Sequence, residues 1–282
     1  MNGGGVTNRD MKLLVAVDME GISGVVHWDQ VAPGKEEYRR FQHIMTADVN
    51  AAIAGALQAG AEEVLVTDGH GSGRNLLLEE LHPSARLNSG LSSPLAMVEG
   101  VDGDVDAVLF IGYHARAGTQ AAILDHTWSS RKVMNIWMND RVVGEIGLNA
   151  AVCGQFDVPI LMISGDQSAC VEAVDWIPGI ETVIVKQATG RLSASCISLQ
   201  ETHTLIHEGS VRAVKNFLQG KSPMPLKETQ PIKIVIEFIN SQMADNASLV
   251  QSAVRLDGRK VSLEAGTMLQ AYRSARALIQ LA

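Results

Sequence analysis

The sequence is short of cysteines, of aromatic residues and of positive charge. Its 282 residues include three cysteines and 4% aromatic residues, and the formal net charge is -8. The cysteines are odd in number, scattered and never spaced as Cys-x-x-Cys, which argues against a disulfide framework or a zinc knuckle and favours buried thiols in a reducing cytoplasm. Because phosphate binding needs clustered lysines and arginines, the acidic balance argues against nucleic acid as a partner.

Long apolar runs are also missing. No uninterrupted hydrophobic stretch is long enough to cross a bilayer, and residues 1–10 lack the apolar core of a secretory signal. We therefore expect a cytoplasmic protein with no membrane partner, in which residues 1–10 form a flexible extension. With 46% hydrophobic residues, the remainder is long enough to bury a sizeable core.

Short apolar runs alternate with helical patterns along most of the chain. This alternation predicts an α/β fold with a mainly parallel sheet flanked by helices, which we assign to residues 11–219 as the catalytic domain. Residues 220–231 are rich in proline and predict a linker. Residues 232–282 then predict a smaller C-terminal α+β element. A hairpin predicted over residues 132–143 is expected to be appended to the main sheet.

Two carboxylates end the first buried strand. Residues 13–17 (Leu-Leu-Val-Ala-Val) are apolar without interruption, as in a strand covered on both faces, and Asp18 and Glu20 follow. Residues two apart in an extended segment point to the same side, so the two acids can converge. Burying like charges together is costly unless a cation compensates them, which indicates a metal site.

Two further buried strands end in similar groups. The second predicted strand ends at Asp68 and His70, and the third ends at His114. Ligands of open α/β sheets bind beyond the carboxyl ends of the strands, so these groups are expected at one edge. A lone histidine after a strand is usually a hydrogen-bonded loop residue, but the coincidence favours a metal. Imidazoles mixed with carboxylates suit zinc or manganese.

Three other side chains are candidates with ordinary alternatives. Glu145 follows Gly144 and opens a predicted helix, where an acid is also favoured by the helix dipole alone. Asp125 and His126 are adjacent, so the imidazole could act as a general acid or stabilise an oxyanion. The alternative for His126 is a solvated loop residue.

Other classes of function stay open at this point. Gly69, Gly71 and Gly73 follow a strand and suggest dinucleotide binding, as in a nucleotide-dependent oxidoreductase, but the third glycine comes one position too early for that motif. A non-catalytic protein that binds peptides or metal is the other alternative.

Five motifs taken together resemble the zinc D-aminopeptidases of the DppA type. Their order and approximate spacing match that family, and the likeness extends from Met11 almost to the C-terminus. The combination is specific although no single motif is. The motifs are residues 17–21 (Val-Asp-Met-Glu-Gly), 68–70 (Asp-Gly-His), 112–117 (Gly-Tyr-His-Ala-Arg-Ala), 125–126 (Asp-His) and 144–150 (Gly-Glu-Ile-Gly-Leu-Asn-Ala).

The resemblance implies a dinuclear zinc aminopeptidase, with two ions per subunit, that removes N-terminal D-amino acids, D-alanine especially, from short peptides. It also implies a homo-oligomer, a decamer of two stacked rings. Carried over position by position, it makes His126 the catalytic residue and gives five metal ligands: Asp18, Glu20, His70, His114 and Glu145. The chain departs from the family pattern at Gly69, where a serine is expected, and the resemblance assigns no role to Asp125.

Overall fold

The structure is a computed structural model that describes residues 11–90 and 93–282, so the extension predicted at residues 1–10 lies outside the described residues. The described residues form six α-helices and twelve strands. The helices are α1 (Tyr38–Ala59), α2 (Glu145–Gln155), α3 (Gln167–Trp176), α4 (Leu199–Leu218), α5 (Ser241–Ala247) and α6 (Met268–Leu281). The strands are β1 (Lys12–Val17), β2 (Glu63–Asp68), β3 (Ala85–Asn88), β4 (Ala107–Ile111), β5 (Val133–Met138), β6 (Arg141–Val142), β7 (Ile160–Asp166), β8 (Glu181–Gly190), β9 (Ser193–Cys196), β10 (Ile232–Phe238), β11 (Val254–Arg255) and β12 (Lys260–Ala265).

The main sheet confirms the predicted fold class. Its seven strands lie in the order β3-β2-β1-β4-β7-β8-β9, and every neighbouring pair is parallel except β8 and β9. The chain builds outward from β1 in both directions, first to β2 and β3 and later to β4 and β7. Such a reversal of strand order opens a crevice at the carboxyl ends of the strands.

Strand β1 is buried on both faces, as its unbroken apolar run predicts. Leu13 and Val15 belong to a core on the side of α1 and α4, and these two helices also pack against each other. Leu14 and Ala16 point the other way, into a core shared with α2, α3, α6 and the second sheet. Alternate side chains therefore fix the strand between two apolar layers, which holds its carboxyl end at the crevice.

A second, antiparallel sheet has the order β11-β12-β10-β5-β6. The predicted hairpin forms as β5 and β6, but the prediction that it joins the main sheet is wrong, because β5 pairs with β10. Ile136 of β5 lies opposite Ile236 of β10, and both are buried in the core that contains α2 and α6. This sheet thus takes strands from both sides of residues 220–231, and the domain boundaries stay a prediction.

The structure also gives the state of the cysteines and the character of the helices. The three cysteines are free thiols; Cys153 and Cys170 are buried and Cys196 is exposed. Within residues 11–90 and 93–282, no helix combines the length and the apolar character that a membrane span requires.

Candidate metal centre

Three neighbouring strands deliver acids and imidazoles to one edge of the main sheet. Asp18 and Glu20 follow β1, His70 follows β2 and His114 follows β4, and β1 lies between the other two strands. Glu145 reaches the same place as the first residue of α2. These five side chains, which the sequence predicts as a group, are therefore brought together.

Asp18 lies at the middle of the cluster and divides its two oxygens between two neighbours. Its Oδ1 is 3.2 Å from Nδ1 of His70, and its Oδ2 is 3.3 Å from Nε2 of His114. Glu20 Oε2 also lies beside His70, 2.9 Å from its Nδ1. Glu145 Oε1 lies beside His114, 3.3 Å from its Nε2. One carboxylate thus joins two groups of potential ligands.

Backbone carbonyls orient the imidazoles. His70 Nε2 donates to Val31 O at 2.8 Å, and His114 Nδ1 donates to Ala115 O at 3.0 Å. A carbonyl oxygen can only accept, so the ring nitrogen that faces it carries a proton. The other ring nitrogen of each histidine then points into the carboxylates. Bonds of this kind fix the tautomer and orientation of metal-binding histidines.

The buried acids and imidazoles shift one another's pKa values. Burial alone would raise the pKa of Asp18, but the adjacent His114 and His70 hold it well below the usual value. Burial would lower the pKa values of His70 and His114, but the neighbouring carboxylates raise both well above the usual value. Protons and metal ions therefore compete for the same imidazole nitrogens, so metal affinity falls as the pH falls.

The donor atoms fit a metal. His114 Nε2 and Glu20 Oε2 are enclosed and make no hydrogen bond within the described residues, although each has an oppositely charged group close by. Donor atoms of Asp18, Glu20 and His114 lie within 4.8 Å of one another, and so do those of His114, His126 and Glu145. Buried polar atoms are rarely left unpaired, and imidazole nitrogens with carboxylate oxygens are a common zinc donor set.

His126 lines the same cavity. Its Nδ1 donates to Leu124 O at 2.8 Å, and its ring stacks on that of His114 with centroids 4.1 Å apart. Trp28 holds it from another side in an edge-to-face contact at 5.5 Å. Nε2 is left facing Glu145 Oε1 at 4.0 Å. This nitrogen can exchange a proton with a molecule in the cavity.

Comparison with known proteins decides the family. The profile of the D-aminopeptidase family matches residues 11–277. The D-aminopeptidase of Bacillus subtilis (strain 168) is 40% identical over 273 residues, which is 96% of this chain and 98% of the relative. The chain belongs to the D-aminopeptidase family. As a family member it is identified as a peptidase.

The solved structures agree with this family assignment. A structure described as the Zn-dependent D-aminopeptidase DppA from Bacillus subtilis, a self-compartmentalizing protease, superposes with a TM-score of 0.92 at 40% identity. The match covers 96% of this chain and 97% of that one. The D-aminopeptidase fold therefore extends over both sheets.

Two carboxylates near the cluster make hydrogen bonds that hold loops in place. Asp68 Oδ2 accepts from the amides of Asn75 at 2.6 Å and Leu76 at 2.9 Å, which folds the loop after β2. Asp125 does not pair with the neighbouring imidazole, because Arg191 Nε donates to its Oδ1 at 2.7 Å and Gly118 N to its Oδ2. Asp125 is therefore engaged by Arg191 and Gly118, and the catalytic role of His126 stays a prediction.

The structure also removes the dinucleotide interpretation of the glycines after β2. That motif requires a helix whose N-terminus receives the pyrophosphate. Residues 69–84 contain turns and no helix. Gly71 and Gly73, both with positive φ, instead let this loop form part of the cavity wall.

Sequence patterns give little sign of two cations near the site. Lys186, on β8, is completely buried beneath the loop that carries Glu20. Arg276, on α6, reaches the cavity from the C-terminal part of the chain. The signal for Lys186 is a lysine inside an apolar strand (Val183–Val185 precede it), which is unusual without a partner. Arg276 lies on an amphipathic helix and has no such signal.

Proposed function

We propose that the chain is a dinuclear zinc aminopeptidase that hydrolyses short peptides with an N-terminal D-amino acid, D-alanine especially. This proposal rests on the position of the Asp18 carboxylate, which has one oxygen close to His70 and the other close to His114. The zinc dependence of the similar Bacillus subtilis enzyme supports zinc as the metal.

Asp18 has one oxygen near each of the two groups of potential ligands and would contribute to holding both ions. Glu20 and His70 would complete one ion's protein ligands, and His114 and Glu145 would complete the other's. Two zinc ions in such a centre supply Lewis-acid polarisation of the scissile carbonyl and a nucleophilic water at neutral pH. The protein contributes a buried site whose imidazoles are already oriented by the carbonyls of Val31 and Ala115.

His126 would act as the catalytic proton donor. Its Nδ1 is committed to Leu124 O, so Nε2 is the nitrogen available to the cavity, and it donates only in the imidazolium form, in which both ring nitrogens carry protons. A donor at this position can stabilise the oxyanion that develops on the carbonyl or protonate the leaving amine. The contacts with Trp28 and His114 hold the ring at one angle, which lowers the cost of orienting it during the reaction.

We also infer a closed homo-oligomer, the decamer of two stacked rings that the family resemblance implies. The description of the Bacillus subtilis relative as self-compartmentalizing supports this assembly. Ten chains of 30.2 kDa have a total mass of about 300 kDa, which light scattering after size exclusion will measure. A monomer or dimer in this experiment would overturn the proposed assembly. A location in the cytoplasm stays a prediction.

Activity is tested with protein purified without added zinc. Metal analysis should give two zinc ions per chain, and the protein should release D-alanine from D-alanyl peptides over time and faster than L-alanine from the L-peptides. Chelation should abolish release and zinc should restore it. One ion per chain would overturn the dinuclear centre. Binding of the peptide without release would favour the non-catalytic binding protein.

The role of His126 is tested by His126→Ala. We expect a fall in kcat of about 100-fold or more with both zinc ions retained, because general acid-base catalysis contributes about 10²–10⁴-fold. Asp18→Asn should instead lose zinc and activity together. His43→Ala removes an exposed imidazole that pairs with Glu80 and is the matched control. Activity of His126→Ala within a few-fold of the parent would contradict the assigned role.

A further inference from the structure

The cavity at the candidate metal centre is lined by both acidic and cationic side chains. Its volume is about 210 Å³, and its lining includes Asp18, Glu20 and Glu145 as well as Arg276. Arg276 is the only lysine or arginine among the described residues that line it. The cavity therefore offers two different kinds of binding group to one bound molecule.

The guanidinium of Arg276 is held in place but not neutralised. Its Nη1 donates to the carbonyls of Ser93 at 3.0 Å and Pro94 at 3.1 Å. The group also lies over the rings of Trp128 and Tyr272, 5.6 and 5.8 Å from their centroids. Within residues 11–90 and 93–282, no carboxylate forms an ion pair with it, so the Nε and Nη2 protons are available to a ligand.

Trp128 connects this arginine to the metal centre. Its amide donates to Glu145 Oε1 at 2.8 Å, and its indole contacts both Arg276 and Tyr272. The residue has a φ of 61°, in the left-handed region that aromatic residues rarely adopt. Backbone strain of this kind persists only where the surroundings impose it, and it is common at ligand sites. Trp128 thus contacts both Glu145, through its amide, and Arg276, through its indole.

A short peptide carries charges that match the acidic and cationic groups that line this cavity. Its α-amine is cationic or metal-binding, its carboxylate is anionic, and each residue adds only about 3.5 Å between them. Arginine presents parallel N–H groups that bind a carboxylate in two places at once. The volume of about 210 Å³ is below the range of about 300–1,000 Å³ that is typical of ligand pockets, which suits small residues.

We infer that Arg276 binds the C-terminal carboxylate of the substrate, so that the enzyme selects dipeptides and tripeptides with a free acid. This inference rests on the proposed aminopeptidase function and deepens it, because it names the feature that limits the length of the substrate. Trp128 acts as a positioning residue for the guanidinium.

The test compares three substrates that differ only beyond the scissile bond. D-alanyl-glycine has a free carboxylate, D-alanyl-glycinamide has none, and D-alanine p-nitroanilide has neither carboxylate nor second residue. We expect the zinc enzyme to prefer the acid over the amide by about 10- to 100-fold in kcat/KM, as expected for loss of a charge-assisted hydrogen bond. Arg276→Met should remove this preference, mainly through KM, and leave cleavage of the anilide within about threefold. Arg276→Lys should keep part of it.

Arg273→Met is the matched control, because Arg273 is exposed on the same helix and does not line this cavity. It should leave the ratio of acid to amide unchanged. Equal cleavage of acid and amide by the parent, or an equal loss on all three substrates in Arg276→Met, would overturn the inference alone. Failure of the parent to cleave even the anilide with zinc bound would overturn the proposed function, and this inference with it.

Discussion

Lys186 holds the loop that carries Glu20. Its Nζ donates to the carbonyl of Glu20 at 2.7 Å and to that of Ile22 at 2.8 Å. The side chain is completely buried, and burial lowers its pKa to about 8, so it is still mainly charged at neutral pH. Strand β8 thus places a buried cation against the backbone of Glu20, a proposed metal ligand.

Lys186→Met should weaken both the fold and the metal centre. Leaving two buried carbonyls without their donor costs about 1–3 kcal/mol, and the released loop should hold zinc less tightly. The measurements are urea unfolding of the zinc-loaded protein and zinc retention against a competing chelator. Lys35→Met is the control, since Lys35 is exposed and pairs with the surface residue Asp29. Unchanged zinc retention in Lys186→Met would show that the lysine supports the fold alone.

The convergence of most of the candidate ligands could be predicted from the sequence, because these residues follow the ends of predicted strands. Asp18, His70 and His114 each follow an apolar run, and parallel strands end at one edge of their sheet. The burial of β1 on both faces follows from the same run. Glu145 is recognisable only as an acid at a helix start, and its place in the cluster depends on how α2 packs.

Other features depend on contacts that no local pattern encodes. β5 pairs with β10, about a hundred residues later, so its sheet could not be assigned from its own sequence. The groups that orient His70 and His114 are backbone carbonyls, which every residue has. Arg276 is contributed by the last helix, α6. Its amphipathic pattern predicts a helix but does not indicate which cavity that helix borders.

Gly112→Ala should separate β4 from the loop after β1. Gly112 has a φ of 74°, and an added Cβ would overlap the carbonyl oxygen of Asp18 and the side chain of Ile22. We expect a loss of stability of about 3 kcal/mol or more together with loss of zinc, because the clash adds to a left-handed strain of about 1–2 kcal/mol. Thermal unfolding and metal analysis will measure both effects.

Gly34→Ala provides the comparison for this substitution. Gly34 has a similar φ of 85°, but an added Cβ would meet no atom within 4 Å. It should therefore show only the cost of the backbone conformation and keep both zinc ions. If the two variants lose stability equally, the contact between Gly112 and Asp18 has no special importance.

Glu172 should make stability depend on pH. Its Oε2 accepts from Arg116 N at 2.8 Å, its Oε1 is enclosed and makes no hydrogen bond with any described residue, and burial raises its pKa from 4.5 to about 7. Between these pH values the folded protein keeps a proton that the unfolded chain has released. The contribution to stability is therefore complete below pH 4.5 and is lost as the pH rises through 7.

Glu172→Gln should remove this dependence. The amide oxygen can still accept from Arg116, and no charge is buried at higher pH. The variant should match the parent near pH 4.5 and exceed it near pH 8 by a free energy of unfolding of about 3 kcal/mol, given ~1.4 kcal/mol per pKa unit and a pKa raised from 4.5 to about 7. Urea unfolding of the variant and the parent at several pH values measures this difference. The proposed metal ligands titrate in both proteins, so their contribution cancels when the two are compared. The exposed Glu208→Gln is the control, and a constant difference across the range would contradict the prediction.

A buried network links the helix of Glu145 to the C-terminal helix. Asn149, one turn after Glu145 on α2, donates from Nδ2 to the Tyr113 hydroxyl at 3.1 Å and accepts at Oδ1 from the Tyr272 hydroxyl at 2.8 Å. All three side chains are almost fully buried. Because α6 also carries Arg276, this network and Trp128 both connect the helix of Glu145, a proposed metal ligand, to the helix of Arg276.

Asn149→Leu should destabilise the protein by about 2–4 kcal/mol, because it leaves two buried hydroxyls without their partner. Tyr272→Phe removes one of those hydroxyls in advance, so Asn149→Leu should cost less in that background. A double-mutant cycle measured by urea unfolding should therefore give a coupling of about 0.5–3 kcal/mol between positions 149 and 272. Additive effects would show that the two side chains stabilise the fold independently, and α6 would then need another contact to fix the position of Arg276.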